Sequence, residues 1–161
     1  MQEGFEMKKR KFAVVLIALL ALALALFAVF SSNRPPKAAE NEILLKIQLD
    51  LKEDIGLLLI DHSVNGNEGS GGMSNADRSM LGRDEVLYWS FEKQPGDPSE
   101  TAELYLRFSV VTEYAAPNFD NIYPEETVIP LEPLSFSARY GEIVSIRIVG
   151  DDVNGFCAIL E

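Results

Sequence analysis

The stretch EILLKIQLDLK, residues 42–52, decides the fold. Ile43, Leu45, Ile47, Leu49 and Leu51 fall on one parity, and Lys46, Gln48, Asp50 and Lys52 fall on the other. A period of two sends alternate side chains to opposite faces of an extended chain, so this is a strand with one dry and one wet face.

The same period recurs downstream. In EVLYWSFE (85–92) Leu87, Trp89 and Phe91 share the core face, opposite Tyr88 and Ser90. In TAELYLRFSVVTEY (101–114) Leu104, Leu106, Phe108 and Val110 alternate with Tyr105, Arg107 and Ser109. Leu134, Phe136 and Ala138 alternate with Ser135, Ser137 and Arg139, and Val144, Ile146 and Ile148 with Ser145 and Arg147. Ile55–Ile60 is a short apolar run that reads as a strand buried on both faces, and Phe156–Leu160 closes the chain as a last strand. Seven strands follow, and 127–131 adds an eighth. Tyr140-Gly141-Glu142 reads as a tight hairpin, and Asn154-Gly155 supplies a second turn with residues that tolerate positive φ. No comparable stretch carries a helical stripe. The expected fold is all-β: an antiparallel β-sandwich, Ig-like or related, of seven or eight strands, with a barrel as the alternative.

Upstream lies a segment of another kind. Residues 12–30, FAVVLIALLALALALFAVF, are continuously apolar, without a charge, Gly or Pro. As a helix they span about 28 Å, close to the hydrocarbon thickness of a bilayer. Lys8, Lys9, Arg10 and Lys11 precede them, while only Arg34 and Lys37 follow closely. This asymmetry predicts a cytoplasmic basic N-terminus (1–11), one N-terminal transmembrane helix (12–30), a Pro-containing spacer (31–39) and an extracytoplasmic β domain (40–161). A cleaved signal peptide is the rival reading and would make the protein secreted, but the run exceeds the usual apolar core of such peptides. Either reading exports the rest of the chain, and the arrangement suits a bacterial envelope.

Composition narrows function by exclusion. The chain has 161 residues with 14 Lys+Arg against 25 Asp+Glu, a formal net charge of −11. Residues 40–161 hold 8 basic and 23 acidic residues, so the exported part carries −15. Nucleic acid, which needs a basic face, is not an expected partner. One Cys and one His leave no internal disulfide and no Cys-rich zinc site. Cys157, between Phe156 and Ala158, reads as a small buried hydrophobe rather than a nucleophile.

Candidate sites fall on two long connections. The first, 61–84, is glycine-rich. Asp61, Ser63, Asn65 and Gly66 fit the opening spacing of a calcium loop, whose alternate oxygen ligands suit a hard cation. The twelfth position, however, is Gly72 where a bidentate Glu is expected. The same piece lacks the G-x-x-x-x-G-K-[ST] of a phosphate loop. Ser74 reads as the cap of one helical turn that packs Met80 and Leu81 on the domain. Asp61-His62-Ser63 holds triad residue types, but neighbours on an extended segment point to opposite faces, so His62 reads as a strand-end residue.

The second connection, 114–133, mixes Tyr114, Phe119 and Tyr123 with four prolines and the acids Asp120, Glu125 and Glu126. Stiff backbone with aromatic contact area suits partner recognition. Tyr88 and Tyr105 are the outward-parity rings that a carbohydrate platform would use. The expected function is a non-enzymatic, membrane-held module that binds a protein or cell-envelope component, with no catalytic residues and no cofactor. A cation-stabilised ligand-sensing domain (Ca²⁺ at Asp61, Ser63 and Asn65) is one alternative, and a hydrolase is another.

Overall fold

The computed structural model describes residues 36–77, 79–113 and 127–161. The apolar run 12–30 and the aromatic candidates Tyr114, Phe119 and Tyr123 lie outside these residues. Lys37–Glu161 forms one compact unit. Its described residues are all-β, with nine strands in two sheets: β1 (Glu42–Leu51), β2 (Leu57–Val64), β3 (Asn67–Met73), β4 (Val86–Glu92), β5 (Thr101–Val111), β6 (Val128–Pro130), β7 (Leu134–Arg139), β8 (Ile143–Asp151) and β9 (Gly155–Leu160). One sheet runs β4-β1-β8-β9. The other runs β3-β2-β5, with β6 and β7 pairing in turn with β5.

The parity pattern is what closes the two sheets on one core. Ile43, Leu45, Ile47 and Leu49 of β1 are buried against Leu104, Leu106, Phe108 and Val110 of β5, with Leu58 and Ile60 of β2 and Ile146 and Ile148 of β8 in the same cluster. Fully burying side chains of this size stabilises by about 1.5–3 kcal/mol each before conformational entropy is charged against it. Trp89, Phe136 and Phe156 pack at its margin.

Five expectations change. The glycine-rich segment is not a connection: β2 continues through His62 to Val64, turns at Asn65 (φ 51) and Gly66 (φ 83), and returns as β3. Two successive positive φ values match the twist of a two-residue hairpin. Second, pairing is not purely antiparallel, because β1 runs parallel to β8 from Leu44↔Ile143 to Leu51↔Gly150. Third, Tyr140-Gly141-Glu142 is not a hairpin. It carries the chain from β7 in one sheet to β8 in the other, with Tyr140 N–H donating to Glu100 O and Gly141 N–H to Glu42 O. Fourth, Cys157 is exposed, since on β9 the buried neighbour is Ala158. The expected cap at Ser74 is also replaced. Asp77 accepts from Ser79 N–H at 2.9 Å, while Leu81 is buried and bridges Ile55.

The β8–β9 turn is built on a nearly buried carboxylate. Asp151 is 4% exposed and accepts from Val153 N–H, from Asn154 N–H at 2.6 Å and from the Asn154 side-chain amide at 2.8 Å. Lys52, on the link from β1 to β2, donates to its other oxygen. Asn154 therefore serves the turn as a donor, and the positive φ falls to Gly150 and Gly155. The Lys52 hydrogen bond first, and then those from Asn154, hold the Asp151 carboxyl well below the usual carboxylate range. Such a group stabilises the fold above its unfolded pKa, and that contribution drains away as pH falls towards the folded one. Asp151→Asn is expected to lower the melting temperature at neutral pH and to flatten the loss of stability between pH 4 and 2. Thermal melts across that range check it.

Candidate functional site

The β2–β3 hairpin and β4 meet where the two sheets present neighbouring edges, and their side chains explain the glycines. On β2 the core parity Leu58, Ile60 continues to His62 and Val64. Opposite His62 lies Gly69, where a Cβ would stand 2.6 Å from the imidazole Nε2. A Cβ at Gly71, next on the same face, would stand 2.4 Å from Cη2 of Trp89. The missing side chains of β3 are thus the space that His62 and Trp89 fill. The imidazole centroid lies 4.9 Å from that of Phe91 and 6.2 Å from that of Trp89, both tilted. These are edge-to-face distances for aromatic rings.

A cleft of about 540 Å³ opens above these rings. His62, Val64, Phe91 and Tyr140 form its floor, and Glu68, Glu92 and Asp97 are among the other residues around it. Lys93 Nζ lies 5.3 Å over the Tyr140 ring, within cation–π range. Asp97 accepts from Ser99 N–H at 2.8 Å; the Ser99 hydroxyl first, then this N–H and nearby Lys93, keep its carboxyl below the ordinary value. A shallower depression of about 440 Å³ lies on the outer face of the same hairpin, at Asp61, Ser63, Glu68, Tyr105 and Arg107.

Burial pushes the His62 imidazole below its ordinary value of 6.5, against the opposing pull of Asp61, and Nδ1 is buried without a hydrogen-bond partner. The folded protein then binds fewer protons at His62 than the unfolded chain does, so stability is retained above about pH 6.5 and falls as the solution is acidified below it. Melts at pH 7.5 and 5.5 should differ more for the natural chain than for His62→Gln.

The calcium-loop candidates are placed apart in role. Asp61 and Ser63 share the outer face of β2, where Asp61 pairs with Arg107 across the strands at 3.0 Å. Asn65 sits in the turn, and its side-chain oxygen accepts from Glu103 N–H at 2.9 Å. Among the described residues no three His, Cys, Asp or Glu side chains gather closely enough to hold a metal ion. Tyr88 (37% exposed) and Tyr105 (43%) do face outward, but on different sheets, so they form no common platform. Sequence reasoning missed the Phe91–Tyr140 floor. Its one available signal was the i, i+2 spacing of Gly69 and Gly71 opposite an apolar strand.

Comparison with known proteins adds no relative: no protein-family model matches the chain, and neither does any curated protein.

Proposed function

We propose that the chain is a non-enzymatic binding module, an Ig-like β-sandwich held on the outer side of a cell membrane by residues 12–30. The observation that carries this reading is the uninterrupted apolar run with Lys8, Lys9, Arg10 and Lys11 on one side and a domain of net charge −15 on the other. Two sheets on one core, with the chain crossing between them at 52–56, 74–85, 93–100 and 140–142, support the sandwich. The cleft beside β3 and the 114–133 segment are the surfaces offered to a protein or cell-envelope partner.

Alkaline extraction of membranes from expressing cells, followed by intact-mass measurement, tests the tether. The full-length chain is expected to stay in the pellet. A shortened chain beginning after residue 30, recovered in the soluble fraction, contradicts the anchor while retaining export.

A further inference from the structure

His62 stands where the closed fold and an ionised imidazole conflict. Its Nδ1 is buried and has no hydrogen-bond partner. Phe91 and Trp89 of β4 close in the ring on one side, and Gly69 of β3 closes it in on the other. A neutral imidazole is the milder case, because one of its nitrogens carries no hydrogen. Imidazolium carries a donor on both, and a buried charged donor without an acceptor is strongly disfavoured. The charged and titratable groups nearby leave that nitrogen unanswered. Asp61 on β2 and Arg107 on β5 pair with each other at 3.0 Å. Asp97 is engaged by Ser99, and Lys93 lies over Tyr140. Glu68 of β3, Glu92 of β4 and Tyr105 of β5 line the two depressions that meet at the ring, without bonding to Nδ1.

Of the walls around the ring, β3 is the one that yields most easily. None of its side chains is fully buried, and among the described residues it pairs with β2 alone. Three of its seven residues are glycines, which gain the most conformational freedom on release. Both ends of the segment are held. Asn65 is tied to Glu103 through its own N–H and through its side-chain oxygen, each at 2.9 Å, and Met73 packs against the core. We infer that β3 is an acid-released strap: when His62 takes a proton, residues 67–72 lift from β2 between these two anchors, and the imidazole and Trp89 come into water. The sandwich itself stays closed, because β2 remains paired with β5 from Leu57 to Val64. The device goes beyond the binding-module reading and does not depend on the tether. It places the cleft beside β3 under the control of the surrounding pH.

The test is amide hydrogen exchange on the full chain in neutral detergent at pH 7.0 and 5.5. Rates are expressed as protection factors, so that the intrinsic effect of pH on exchange cancels. The β3 amides bonded to β2 are expected to exchange sooner than those of β1 and β5, at rates indifferent to low urea. That is the mark of a local opening rather than of global unfolding. Between the two pH values their protection should fall several-fold, at most about eight-fold, the limit for an imidazole that titrates at about 6.5 once released. His62 is the only histidine. In His62→Gln, and in His62→Phe, which keeps a ring against Phe91, the fall should disappear. Three results would overturn the inference: β3 amides that exchange only together with the core strands, protection unchanged at pH 5.5, or an equal fall in the variants, which would assign it to the carboxylates.

Discussion

Gly150→Ala is expected to destabilise the fold by about 4 kcal/mol, combining backbone strain and overpacking of about 1–3 kcal/mol each. Gly150 has φ +123, a conformation closed to residues with a side chain. A Cβ there would stand 2.1 Å from Gly155 O and 2.8 Å from Phe156 Cα. Both obstacles are main chain, so no rotamer change relieves them. The hairpin itself would have to open, and β8 could not do so without disturbing its parallel pairing with β1 at Leu51. It would also pull on the Asp151 carboxylate and its Lys52 partner. Urea unfolding followed by Trp89 fluorescence measures the effect. A midpoint within experimental error of the natural chain would show that the β8–β9 turn is not built this way.

Gly71→Val is the second large effect, about 2–3 kcal/mol, and its cause is a neighbour rather than backbone angle. The Trp89 ring occupies the place of the missing side chain at 2.4 Å. Trp89→Ala alone is expected to cost about 3 kcal/mol, the low end for a large aromatic because Trp89 sits at the margin of the core. With the indole gone, valine at position 71 has room and an apolar surface to cover. The double variant should therefore be no less stable than Trp89→Ala alone, giving a coupling of about 2 kcal/mol. Additive losses in the cycle would refute the account of β3 as a strand emptied to admit β4.

These two positions also show how far the sequence reaches. Alternation in 42–52, 101–114 and 143–149 was legible because each strand displays the contrast between its faces in its own side chains. β3 was illegible for the opposite reason, since glycine contributes neither hydropathy nor parity, and NEGSGGM looks the same as a strand or a loop. The parallel pairing of β1 with β8 and the crossing at Tyr140-Gly141 were hidden because local turn chemistry does not name a strand's partner. Cys157 was misjudged from its apolar neighbours, although parity with buried Ala158 places the thiol on the outer face. At the site, His62 was read as a strand end because β2 was ended too early. Once β2 is carried to Val64, the imidazole joins the core parity and the cleft floor follows.

That outward thiol supplies the most direct test of where the domain stands. Cys157 is the only cysteine in the chain and is exposed. A membrane-impermeant maleimide added to intact cells that express the protein, with the outer barrier opened where one exists, should label it fully. Labelling that appears only after the inner membrane is broken would place the β domain on the cytoplasmic side and contradict the tethered, outward-facing module.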